Sequence, residues 1–194
     1  MLMNINMKKN ISNLNFIIIV VLNLLLWCGI LVYVIYTNKT ENRIDTLARK
    51  ALIALNENPS SVKILEVSAP QRIYGKFLLT VNEEEEISEI MQSLNRTIMR
   101  NTDNFSDFDN AAQEIKDLME RYMNTITALQ SMPRDNGIDY SSNDEDANKP
   151  QGWKIKVSYS AKSAHGIPYK SQYWFFFDND GEILTRHFEL PILS

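Results

Sequence analysis

The sequence predicts an α+β fold carried on a long N-terminal apolar helix, and three observations lead there. Residues 16–36 form an uncharged apolar run, the middle of the chain holds two stretches with helical apolar spacing, and the last forty residues contain period-two alternation. The element order that follows is β-β-α-α-β-β-β after the first helix, an antiparallel sheet of about five strands with helices expected on one face.

The apolar run (FIIIVVLNLLLWCGILVYVIY) has 21 residues, enough for one helix to cross about 30 Å of hydrocarbon. It exceeds the usual signal-peptide core and has no small-x-small cleavage site. Trp27, rather than a small residue, precedes Cys28, which argues against lipoprotein processing. A single uncleaved transmembrane helix is therefore expected, with Phe16, Trp27 and Tyr36 as anchor residues. Asn23 is the strongly polar side chain of the span, and an amide in hydrocarbon seeks a partner, so it is a candidate helix–helix contact in the membrane. Lys8 and Lys9 precede the span, while Lys39, Arg43, Arg49 and Lys50 follow it. A short stub with lysines beside the span favours a cytoplasmic N-terminus and an extracytoplasmic C-terminal domain, with the reverse topology as the alternative.

Residues 41–58 place Ile44, Leu47, Ala48, Ala51, Leu52 and Leu55 at helical spacing and stop at Asn58-Pro59, which continues the span as an amphipathic stalk. The expected organisation is a stub (1–15), the span (16–36), the stalk (37–58) and a domain (59–194). Within that domain, residues 61–68 and 72–81 read as two strands about Ala69-Pro70-Gln71, joined as a hairpin or by a short connection. A helix should follow from near Glu83, capped by Asn82, with Ile87, Ile90, Met91, Leu94 and Ile98 inward. The next, over 106–131, spaces Phe108, Ala112, Ile115, Met119, Tyr122, Ile126 and Leu129 by fours and threes. Such a stripe serves either packing across the sheet or a partner; Phe108, Met119 and Tyr122 are its candidate interaction surface.

Residues 133–152 are polar and acidic and read as an exposed loop whose spacing does not match a calcium loop. Trp153, Ile155, Val157 and Tyr159 then alternate with Lys154, Lys156, Ser158 and Ser160, a strand with one wet face. Residues 169–177 (YKSQYWFFF) are apolar on both faces near their end, as in a central strand. Asp178-Asn179-Asp180-Gly181 supplies a turn, and residues 182–190 return as the last strand.

All 24 acidic residues lie after Tyr36 with 18 of the 20 basic ones, leaving that part of the chain at a net −6, so a nucleic-acid partner is not expected. Cys28 is the sole cysteine, and the domain has no thiol or disulfide. Its two histidines, His165 and His187, show no ligand spacing, and no phosphate loop, GxSxG elbow or HExxH stands in the sequence. No enzyme activity, metal or cofactor is expected.

An N-terminal span, a long helix, a strand pair, two helices and a three-stranded meander make an order of elements that resembles the extracytoplasmic PAS-like (Cache) sensor domains over about residues 41–190. That resemblance implies a small-ligand cleft, lined by aromatics such as Tyr159, Tyr173 and Phe175, and carries over no ligand residue. Two functions are expected on these grounds. The first is a membrane-anchored interaction module whose partners are the bilayer and other membrane or envelope proteins, including a second copy of itself. The alternative is a small-ligand sensor domain without its own output domain.

Overall fold

Helix α1 (Leu2–Leu55) runs unbroken for 54 residues because its sequence holds no proline and one glycine. It stops where the Asn58 N–H turns back onto Asn56 Oδ1 (3.0 Å), ahead of Pro59. The computed structural model describes residues 2–133 and 149–193, with side chains from residue 21 onward. The acidic segment expected as a loop lies, over 134–148, outside the described residues. Among the described residues one helix, over Val21–Leu55, includes a stretch long and apolar enough to cross a membrane. The chain divides into two units, Met1–Thr40 and Glu41–Ser194.

The second unit is α+β. Its antiparallel sheet is built from β1 (Lys63–Val67), β2 (Gln71–Tyr74), β3 (Pro150–Lys162), β4 (Pro168–Phe177) and β5 (Leu184–Ile192). Strands β3, β4 and β5 form the expected meander with β4 central, and the turn at 178–183 is closed by Asp178, whose Oδ1 accepts the Glu182 and Ile183 N–H groups at 2.7 and 3.0 Å. Gly181 takes the positive φ of 67° that this turn needs. The Arg72 guanidinium grips Asn179 from β2 at 2.6 and 2.7 Å, and Arg43 of α1 donates to Glu182 at 2.6 Å.

Strands β1 and β2 do not form a hairpin. Both pair with β3, β1 along residues 157–160 and β2 along 150–154, as one edge strand interrupted at Ala69-Pro70. Proline has no N–H for the ladder, so the break falls there. Ser68 carries the pairing to its brink, donating N–H to Lys156 O (2.9 Å) and accepting the Lys156 N–H on Oγ (3.0 Å).

Helices cover both faces of this sheet, correcting the one-sided arrangement expected from the element order. The 41–55 stretch of α1 is a wall of the core: Ile44, Ala48 and Leu52, each 0 % exposed, pack on Trp153, Ile155, Val157, Tyr159, Phe175 and Phe177. The opposite face carries Trp174, Phe176, Phe188 and Leu190, covered by Ile87 and Leu129 of helices α2 (Val81–Asn101) and α3 (Gln113–Gln130). Strand β4 is apolar on both sides because each side faces a helix.

The cap of helix α2 lies two residues before the expected Asn82. Thr80 is the N-cap and Glu83 completes a capping box: the Glu83 N–H donates to Thr80 Oγ1 (3.3 Å) and the Thr80 N–H to Glu83 Oε2 (2.8 Å). Its inward residues are the expected ones, Ile87, Leu94 and Ile98 buried with Ile90 and Met91 at their margin. Helix α3 begins at Gln113 rather than near Ser106: residues 106–111 form turns, with the Ala111 N–H donating to Phe108 O at 3.1 Å, and the N-cap Ala112 is extended at ψ 144°. Its buried face is Asp117, Leu118, Thr125 and Leu129, offset from the anticipated stripe.

One close approach fixes the β3–β4 register at its end. A Cβ on Gly152 would stand 2.2 Å from Phe177 O, inside any real contact. Gly152→Ala should therefore lower stability by about 1–3 kcal/mol, read as a shifted urea midpoint. An unchanged midpoint would mean the strands separate there without cost.

Candidate functional site

Among the described residues of the Glu41–Ser194 unit, two concavities bear on function; a further one, of about 330 Å³, lies between β2 and the start of α2. Helices α2 and α3 touch where Leu94 and Ile98 meet Leu118, Met119 and Tyr122. They leave a groove of about 520 Å³ farther along, lined by Ile87, Met91, Ile126, Leu129 and Met132 with Glu84 and Glu85 at its lip. The groove is apolar because each helix carries a second row of apolar residues beside its buried one. Tyr122 lines it, Met119 packs in the neighbouring cluster, and Phe108 stands half-buried ahead of α3, outside that cluster. The heptad spacing puts Phe108 on the same helix as the other two, but α3 starts only at Gln113, past the extended Ala112, and leaves Phe108 in the preceding turns.

The second concavity, about 320 Å³, is polar and lies among the end of α1, α3 and one end of the sheet. Strand alternation brings Tyr159 of β3 and Tyr169 and Tyr173 of β4 to one face, where Tyr159 packs edge-on to Tyr169 with ring centres 6.1 Å apart. Tyr159 donates its hydroxyl to Glu189 Oε1 of β5 at 2.8 Å, and Asn56 donates to the Tyr169 hydroxyl at 3.1 Å. The Arg121 guanidinium lies over the Tyr169 ring, 3.8 Å from its centre, and its Nη1 is 4.0 Å from Glu189 Oε1. One turn earlier on α3, Asp117 Oδ1 accepts from Gln113 Nε2 (2.8 Å) and faces His165 Nδ1 (2.9 Å).

Burial and the Glu189 charge both push the Tyr159 and Tyr169 hydroxyls above their ordinary range, and Tyr173 up to about 12, so all three stay protonated donors in neutral water. Burial alone would raise Asp117; Ser163, Gln113 and His165 together outweigh it and hold the carboxyl below its ordinary range. Ser163 nonetheless completes no hydrogen bond to Oδ2. Asp117 Oδ2 and Arg121 Nη1 are both buried without a hydrogen-bond partner. Among the described residues no group of three His, Cys, Asp or Glu side chains is placed to hold a metal ion.

Of the residues singled out from sequence, Tyr159 and Tyr173 do line this cleft, while Phe175 lies beneath it in the core. Asp117, Arg121 and Glu189 were missed. The available signal was an acid and a base four residues apart on α3, but the stripe chosen from the apolar spacing set them on the outer face. Trp27 and Tyr36 are 63 % and 61 % exposed and Asn23 is exposed on α1, whereas the Phe16 side chain lies outside the described ones. Compared with family models, with curated proteins and with solved structures, the chain matches none.

Proposed function

We propose that this protein is a single-span membrane-anchored interaction module whose α+β domain, on the extracytoplasmic side, seats an apolar segment of another membrane or envelope protein between α2 and α3. The groove between these helices carries the reading. It offers Ile87, Met91, Ile126 and Leu129 to an apolar side chain, and Glu84 and Glu85 at its lip favour a segment flanked by lysine or arginine. The uncharged stretch of α1, with its exposed apolar side chains, supports the anchor. The role assigned is binding, not catalysis.

A photo-cross-linking residue at Ser88 or Gln130, on the groove, should capture a neighbour in native membranes that the same probe at Lys63 on β1 does not. Met91→Glu should lower that capture about tenfold by setting a charge in the apolar floor. Equal capture from both positions, or none from the groove, would overturn the proposal.

A second reading, a PAS-like or Cache-like small-ligand domain, draws support from the tyrosine-lined cleft and from the β-β-α-α-β-β-β order of elements.

A further inference from the structure

We infer that one end of the Glu41–Ser194 unit, the end that carries the 178–183 turn, rests in the headgroup layer of the bilayer that holds α1. This inference rests on the anchor in the reading above and makes the lipid surface a partner of the domain itself.

Exposure singles out that end. Among the described residues of this unit, the three most exposed large apolar side chains are Ile183 (65 %), Val81 (64 %) and Tyr74 (59 %). Scattered exposed apolar residues are common on any protein and need no partner, but these three are collected in one place. Tyr74 closes β2, Val81 opens α2, and both line the concavity of about 330 Å³ between those elements. Ile183 belongs to the turn between β4 and β5, which Arg72, two residues before Tyr74, holds through Asn179 at 2.6 and 2.7 Å. The opposite end of the sheet is polar: Lys63, Ser160 and Lys170 stand there in one row, paired from strand to strand.

Chain connectivity supplies the occupant. Tyr36 closes the apolar run and Arg43 follows seven residues later. Seven residues reach at most about 25 Å in any arrangement. Arg43 donates to Glu182 at 2.6 Å and to the Asp180 carbonyl, so the turn that bears Ile183 is tied within that reach of the hydrocarbon boundary. The polar end lies farther off, because it meets α1 at Asn56, which bonds Tyr169 about 20 Å further along the helix. A surface tethered so closely meets the bilayer at high effective concentration, and a few apolar side chains then suffice to seat it. Tyrosine, with an apolar ring and a wet hydroxyl, suits that boundary. Arg43, Arg72 and Lys76 stand against Asp178, Asp180 and Glu182 at this end. The balance calls for no anionic lipid, so the fitting surface is zwitterionic phosphatidylcholine.

Lipid-borne quenching of a fluorescent label on the full-length chain tests this. In a Cys28→Ser background, Asp180→Cys places an environment-sensitive label in the turn and Lys170→Cys places it at the polar end. Each chain is reconstituted singly in phosphatidylcholine nanodiscs whose headgroups carry a nitroxide. Emission from position 180 should fall at least about twofold while that from 170 stays unchanged, since an apolar face seated at the boundary enters it by about 5–10 Å. Ile183→Asp with Val81→Asp should restore the emission at 180. Both side chains are exposed, so circular dichroism melting should stay unchanged, and Ile183→Ser is the milder variant if it does not. Equal quenching at 180 and 170, or quenching untouched by these substitutions, would overturn the docking. So would no quenching at either position, and a cross-link from residue 180 to a protein in native membranes would then identify the occupant as protein. Release of the chain from membranes by alkaline carbonate would overturn the anchor along with the docking, whereas a retained chain with an unquenched turn overturns the docking alone.

Discussion

A chain shortened to begin at residue 59 is expected to lose cooperative unfolding, while one beginning at Glu41 keeps it. Removing the 41–55 stretch of α1 strips Ile44, Ala48 and Leu52 from the sheet. Each large aliphatic side chain contributes roughly 1.5–3 kcal/mol by burial, and the loss also leaves Trp153, Ile155, Val157, Phe175 and Phe177 facing water. Set against a total stability of about 5–15 kcal/mol, that deficit unfolds the domain. Urea titration followed by circular dichroism and by tryptophan fluorescence would read it. A sharp, coincident transition in the shorter chain would show that the stalk is dispensable. Leu52→Ala in the full chain is the milder form, at about 2–5 kcal/mol.

Lys154→Ala should be the most damaging single change on the other face, costing about 3–5 kcal/mol. The Lys154 and Glu83 side chains are only 7 % and 12 % exposed, and the ammonium bonds directly to Glu83 Oε2, which also accepts from the Thr80 backbone. Losing the lysine leaves a buried carboxylate without its counter-charge. Lys154→Met with Glu83→Gln should recover most of the loss, since a methionine fills the space and glutamine still closes the capping box. The pair also sets an acid limit. Burial pushes Glu83 up, but Lys154 and Thr80 outweigh it and hold the carboxyl below its ordinary 4.5. A carboxylate with a depressed folded value contributes stability that is complete above about pH 4.5 and is lost as pH falls below it. The double variant should lack this part of the acid dependence, whereas Asp117, also depressed, should keep its own. An identical pH profile in both proteins would exclude Glu83 as its source.

Much of the local structure was legible because it depends on near neighbours in sequence. The meander could be read from Trp153, Ile155 and Val157 alternating with polar residues and from a four-residue turn ending in Gly181, and the face of α2 from Ile87, Leu94 and Ile98. What could not be read depends on pairings at long range. Lys154 and Lys156 look like a wet face by alternation, yet α2 brings Glu83 and Glu86 over them. The stalk looks like a tether by its amphipathic spacing, yet its apolar side faces aromatics that lie about a hundred residues later. The polar cleft draws its lining from the end of α1, from α3, from the 163–165 loop and from three strands, so no local spacing announces it.

The stalk helix also constrains the order in which the chain can assemble. Ile44, Ala48 and Leu52 leave the ribosome before any strand they will touch, and Arg43 waits for Glu182, 139 residues downstream. Closing so long a loop is entropically slow, so docking of this helix is a late step and follows formation of the meander. Until then one aromatic side of the sheet stands open, and the nascent chain carries that open side among its neighbours. Because that docking comes late, substitutions on the 41–55 face would speed its release and lower final stability more than they slow formation of the meander.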